Sequence, residues 1–333
     1  MRRRLVSAAG DVMALPYAIP LDAGALQRAH ARCLPRVDAA PCDATLARFA
    51  VESLIEEAQL TPKPALVDGR GSGAHRDLDL PLMLRSARSL EATFASLARA
   101  SRGRMPSATL RAELAQIGRA GEYDMMRATN GSNAHRGAIW IVGLLIAGAA
   151  IIAADDDNAL PELLPYERTH THAARVCELG AQIACFPDRF AAPVDSHGER
   201  VRQRFNVGGA RQEAQDGFPH VIGLGLPALH AARSKGIGEN AARVDTLLAI
   251  MASLDDTCLL HRAGLAGLHA GQRGARAVIA AGGSSTSTGR AAFDALEAEL
   301  LSLNASPGGA ADLLAATLFI DKLAHHAPAG AEN

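Results

Sequence analysis

Apolar residues recur along this chain with the period of a helix, and no alternating strand pattern competes with them. Positions 46, 47, 50, 51, 54, 55 and 58 are apolar, while Arg48, Glu52, Glu56 and Gln59 fill the other face. That is an amphipathic helix, with Asp43 as its expected N-cap and Pro62 and Pro64 as its stop. The same reading predicts helices at about 80–101, 107–130, 137–154, 168–184, 188–206, 218–234, 238–270, 289–303 and 307–325. Residues 1–42, punctuated by Pro16, Pro20, Pro35 and Pro41, read as an irregular arm with one short helix near Ala23–Cys33, and 326–333 as a disordered tail. No composition break or internal repeat divides what lies between. The expected fold is all-α, a single bundle-like multi-helix domain over 43–325.

The predicted helix 137–154 carries no charge and approaches the roughly 17–20 residues that cross a bilayer. It is rich in Gly and Ala, stands alone, and follows directly on a polar motif. It therefore reads as a central helix buried on all sides rather than a membrane span.

Composition narrows the picture further. The 34 basic and 35 acidic residues nearly cancel, so the chain carries no nucleic-acid footprint. Aromatics are only 4% and alanine is abundant, which favours helices on propensity. The five cysteines are odd in number and form no C-x-x-C pair, which argues against a disulfide framework or a structural zinc and fits a cytoplasmic protein. Arg2, Arg3 and Arg4 precede an apolar stretch, but Asp11 interrupts it and no cleavage site follows, so a secretory leader is not expected. His170, His172 and Cys177 lack a fourth ligand for zinc, and Gly282–Gly289 reads as a flexible loop.

Polar residues gather where a ligand would need them. In Thr61–Asp77, three glycines free the backbone, Lys63, Arg70, His75 and Arg76 supply cationic donors, and Asp68 and Asp77 offer carboxylates. The plain alternative is a Gly/Pro loop with solvated charges. Glu122 and Thr129 share a helix face, and the segment Asn130–Gly137 breaks that helix before the uncharged one starts. Its free amides, beside His135 and Arg136, make a reasonable phosphate site, unless Asn133 and His135 only cap it. Arg211 and Glu213 sit together in a Gly-rich loop. Val244, Leu248, Met251, Asp255, Cys258 and Arg262 follow one helical stripe, with Asp256 about 100° round from Asp255. Adjacent aspartates on such a helix call for an ion or a basic partner. Ser306, Pro307, Gly308 and Gly309 open the last helix as a plain start or an anion cradle.

In order, the blocks TPKPALVDGRGSGAHRDL (61–78), GEYDMMRATNGSNAHRGAIW (121–140), GGARQEAQDGFP (208–219), MASLDDTCLLHRAG (251–264) and SPGGAADLLAATLFID (306–321) resemble the signature of the triphosphoribosyl-dephospho-CoA synthases. These serve malonate decarboxylase and citrate lyase, and the Arg70–His75 form is closer to the malonate decarboxylase branch. The resemblance covers about 44–323. It departs from the family pattern at Ala65 and Gln212, where the family has Gly, and at Ser132 and Ala134, where it has Val and Thr.

The resemblance implies a transferase in which the 2'-hydroxyl of 3'-dephospho-CoA attacks C1' of the ATP ribose and displaces adenine. Such a reaction needs a base, an acid for the leaving group and firm phosphate anchors. By resemblance, His135, His75 or Glu213 moves the proton. Lys63, Arg70, Asn133, Arg136, Arg211, Arg262, Ser306, Gly308 and Gly309 bind substrate and phosphates, and Asp255, Asp256 and Glu122 hold Mg²⁺. The expected partners are ATP and 3'-dephospho-CoA, with no nucleic acid and no membrane, and a homodimer is compatible with the reading. A nonenzymatic nucleotide- or CoA-binding protein is the competing class, and its proton-transfer residues would be free to vanish.

Overall fold

A computed structural model describes residues 41–153, 165–190 and 197–326. The expected N-terminal arm, its short helix and the tail beyond His326 lie outside them. Among the described residues the chain is all-helical, and extended backbone pairs only at an isolated bridge between Asp68 and Gly71.

Helix α1 (Asp43–Gln59) buries Leu46, Ala47, Ala50, Val51, Leu54 and Ala58, the stripe its periodicity predicts. Its cap is Cys42 rather than Asp43, whose carboxylate accepts from Arg102 Nε at 2.7 Å. The expected helix 80–101 is two: α2 (Leu80–Ser89), capped by Asp79, and α3 (Glu91–Ser101). A tight i−3 hydrogen bond at the fully buried Leu90 separates them. Ser107 caps α4 (Ala108–Ala128) through the amide of Leu110 at 3.2 Å. Helices α5 (Arg136–Ile152), α6 (Pro165–Cys185), α7 (His197–Phe205) and α8 (Gly209–Gln215) follow.

The expected helix 218–234 opens as a π-helical turn, His220–Gly225, and continues as α9 (Leu226–Ser234). The expected helix 238–270 is also two, α10 (Glu239–Met251) and α11 (Thr257–Ala280), the latter kinked at Gly264. Asp256 explains the break. It takes an extended backbone and turns its carboxylate onto the amides of Cys258 and Leu259, capping α11. Asp255 and Asp256 therefore stand between helices, and the stripe proposed for 244–262 does not exist. Helices α12 (Ser287–Ser302) and α13 (Gly308–Ala324) complete the fold.

Helix α5 is the centre. It packs against α1, α3, α4, α6, α8 and α13, and Ala138, Ile139 and every residue from Ile141 to Ile152 are buried. The buried central helix expected from the uncharged segment is thus present. Among the described residues no helix is long and apolar enough to cross a membrane. Helix α11 packs on both α10 and α12, and α10 and α11 also meet α13.

The backbones of α5 and α6 touch through small residues. A Cβ on Gly148 would overlap the carbonyl of Val176, and one on Gly180 would lie 3.1 Å from the carbonyl of Leu144. Backbone cannot step aside as a flexible side chain does. Gly148→Ala is therefore expected to lower unfolding free energy by about 2 kcal/mol in urea titrations, since overpacking of about 3 kcal/mol exceeds the ~1 kcal/mol helix-propensity gain.

Candidate functional site

Three helix starts, those of α5, α11 and α13, meet at a cavity of about 340 Å³. Its wall also includes Glu57 from the end of α1 and Lys63, His75 and Asp77 from the loop before α2. That loop folds back on itself: Ala74 N bonds Ala65 O at 2.9 Å, and Asp68 takes the Lys63 and Arg70 amides at 2.8 and 2.7 Å. Gly73 is required there, because it sits at φ +55° and a Cβ would strike the carbonyls of Ala65 and Leu66.

Lys63 is 1% exposed and pairs with Glu57 Oε1 at 2.5 Å, while its ammonium also donates to the Glu57 carbonyl at 2.6 Å. Two of its three donors are thereby used, and the third remains for the cavity. Arg262, on α11, donates to the carbonyl of Ala74 at 2.8 Å and to His75 Nδ1 at 3.0 Å. A guanidinium only donates, so His75 Nδ1 accepts and Nε2 carries the proton that meets Ser306 Oγ at 2.9 Å. Burial, then the charges of Arg262 and Lys63, hold His75 down at about 4.

His135 is 2% exposed at the start of α5. Its Nδ1 lies 2.6 Å from Ser86 Oγ, and its buried Nε2 has no partner. Ser86 is fully buried and has no other side-chain bond, so its hydroxyl donates to Nδ1 and Nε2 bears hydrogen. Burial, then Lys63, lowers His135 to about 3, so the ring is neutral. Asn133 caps α5 by accepting from the Arg136 amide at 3.2 Å, and Arg136, half-exposed, pairs with Glu122. Asp312, the fifth residue of α13, sets its Oδ2 against Gly137 at the start of α5, beside the Ala138 amide. Burial first, then Glu57 and Asp256, raises Asp312 well above the ordinary carboxylate range.

The family model for ATP:dephospho-CoA triphosphoribosyl transferase matches residues 43–330 of this chain. The chain belongs to this family. It is 52% identical over 296 residues to a probable 2-(5''-triphosphoribosyl)-3'-dephosphocoenzyme-A synthase of Pseudomonas paraeruginosa, covering 89% of this chain and 95% of that one. It is 53% identical to a probable synthase of Azotobacter vinelandii over 83% of this chain and 90% of the relative. With the synthase of Klebsiella pneumoniae the identity is 50%, over 84% and 94%. No solved structure matches the chain.

Of the residues expected at the site of this transferase, Lys63, His75, Asn133, His135, Arg136, Arg262, Ser306 and Gly308 line the cavity. Others do not. Arg70 clamps the loop to α12, bonding Asp68 Oδ2 at 2.7 Å and Glu297 Oε1 at 2.6 Å, and is spent as a strap. Glu213 holds the π-helical turn, accepting from the His220 amide at 2.9 Å and facing His220 Nδ1 at 2.7 Å, away from the lining. Arg211 is exposed and outside the lining. Gly309 turns toward Asp256, which also accepts the Ala310 amide at 2.9 Å, so these amides are closed rather than an open anion cradle.

The carboxylates expected to hold Mg²⁺ do not fit as a chelate. Asp255 is exposed and outside the lining, Asp256 is committed to amides of α11 and α13, and Glu122 is paired with Arg136. Among the described residues no group of three or more His, Cys, Asp or Glu side chains is arranged for a metal ion. Conversely, the sequence reading missed Glu57 and Ser86, and passed over Asp312 in naming site residues. Glu57 had a signal: it is a carboxylate three positions after Leu54 on the buried stripe of α1.

Both site histidines are neutral in the fold, yet titrate near 6.5 when free. Below pH 6.5 the unfolded chain gains protons that the folded one refuses, so stability falls as pH drops toward 4. The expected loss at pH 5 is about 1–2 kcal/mol per histidine. Melting temperatures across pH 7.5 to 5 should show it, with a shallower slope in His135→Gln.

Proposed function

We propose that this transferase moves the 5-triphosphoribosyl group of ATP onto the 2'-hydroxyl of 3'-dephospho-CoA, releasing adenine. The observation that carries this is the cavity itself: Lys63, Arg136, Arg262 and the starts of α5, α11 and α13 surround an unpartnered His135 Nε2–H in a member of this family. The start of α5 and the cationic side chains offer a polyanionic triphosphate a positive field. His135 and Ser306 supply neutral donors, and His75 orients Ser306. Mg²⁺ is proposed to enter on the phosphate oxygens of ATP, since the protein carboxylates expected for it do not form a chelate.

The product is read as the prosthetic-group precursor for the acyl-carrier subunit of malonate decarboxylase, on the Arg70–His75 form of the first block. We place the reaction in the cytoplasm; the described cysteines Cys42, Cys177, Cys185 and Cys258 are all free thiols, which supports a reducing compartment.

Purified protein incubated with ATP, Mg²⁺ and dephospho-CoA should release adenine in step with a product carrying the triphosphoribosyl mass, and none without dephospho-CoA. Arg136→Gln removes a half-exposed phosphate anchor, so it should raise KM for ATP about tenfold with the melting temperature nearly unchanged. A KM within twofold of wild type would remove Arg136 from the phosphate site. Loss of the gene should abolish growth on malonate and leave citrate fermentation intact.

A further inference from the structure

Resting on that reaction, we propose that Asp312 is the base that takes the proton from the attacking 2'-hydroxyl, a role none of the residues expected from the sequence fills. A free lone pair in the cavity is what such a base requires, and few groups there have one. His75 Nδ1 accepts from Arg262 at 3.0 Å and its Nε2 carries hydrogen, so the ring offers no lone pair. His135 Nδ1 accepts from Ser86 at 2.6 Å, which leaves Nε2–H as a donor. Glu213 is bound to His220 outside the cavity. Three carboxylates line the wall, Glu57, Asp77 and Asp312. Glu57 is closed by Lys63 at 2.5 Å, and Asp77 is 57% exposed at the rim.

Asp312 remains. Among the described residues no cation pairs with it, and of its neighbours only the Ala138 amide lowers its proton affinity, so lone pairs on its oxygens stay uncommitted. Its placement is fixed from the α5 side, because a Cβ on Gly137 would overlap its Oδ2. Lys63, Glu57, His135, Asp256 and Cys258 are the titratable groups around it on α1, α5, α11 and their approaches. Burial and the two neighbouring carboxylates raise its proton affinity, so it holds an abstracted proton more firmly than an ordinary aspartate does.

In the step, the hydroxyl O–H bond breaks and its proton passes to an Asp312 oxygen as the O–C1' bond forms. The C1'–N9 bond breaks, adenine leaves with the electron pair and takes a proton from water, and Asp312 returns its proton to water.

Asp312→Asn keeps the shape and the acceptor for Ala138 but cannot take the proton. It is expected to lower kcat by about 10²–10⁴-fold, with the ATP dissociation constant measured by calorimetry within about threefold of wild type. Wild-type kcat/KM should fall on the acid side with an apparent pKa above the ordinary Asp value of 3.8, and the residual activity of the variant should lack that limb. Gly137→Ala, which pushes the carboxylate away without altering it, should lose kcat in the same way and stands in if Asp312→Asn fails to fold. A variant within about fivefold of wild type, or one that keeps the acidic limb, overturns the proposal. Wild-type protein that releases no adenine fails the reaction itself, and is distinguished by that before either variant is compared.

Discussion

The site depends on two aspartates that tie three helix starts together. Asp256 caps α11 through Cys258 and Leu259 and reaches the Ala310 amide of α13 at 2.9 Å, while Asp312 of α13 lies against Gly137 at the start of α5, beside the Ala138 amide. The first amides of any helix lack partners within it, and burying them unpaired is costly. Carboxylates answer that need and match the positive end of each helix dipole. The pairing makes the relative placement of α5, α11 and α13 a matter of hydrogen-bond length rather than of side-chain packing alone.

Lys63 and Glu57 cancel one another, both histidines are held neutral by burial, and the remaining positive influence comes from Arg136, Arg262 and the start of α5. A polyanion entering such a space meets oriented donors that need no reorganisation. The platform is rigid because α5 is enclosed by neighbours on every side and shares close backbone contact with α6.

The positions where the chain departs from the family pattern differ in physical weight. Ala65 sits at φ 55°, a left-handed conformation that glycine adopts freely and that costs alanine roughly 1 kcal/mol. Gln212 lies inside α8 with no such strain, and its amide bonds Asp216 at 2.7 Å. Ser132 Oγ donates to the carbonyl of Asp77 at 2.9 Å, joining the approach to α5 to the cavity loop. Ala134 lines the cavity and brings no hydroxyl there.

Periodicity, charge balance and the uncharged stretch at 137–152 were enough by themselves to determine an all-helical fold around a buried central helix, because burial on all sides leaves its mark on every residue of a helix. Ordered polar blocks marked the loop bearing Lys63 and His75, and the helix start bearing His135. What lay beyond the sequence was which side chain each polar group would meet. Arg70 and Glu213 look like ligand-binding residues in one dimension, yet Glu297, 227 positions away, and His220 claim them. Asp256 read as a helix-face carboxylate and is a cap, while Asp312, not among the residues the ordered blocks marked for a role, faces the cavity. Tertiary structure decides such roles because a hydrogen bond depends on distances of about 3 Å between residues far apart in the chain, and helical periodicity fixes only the face from which each side chain departs.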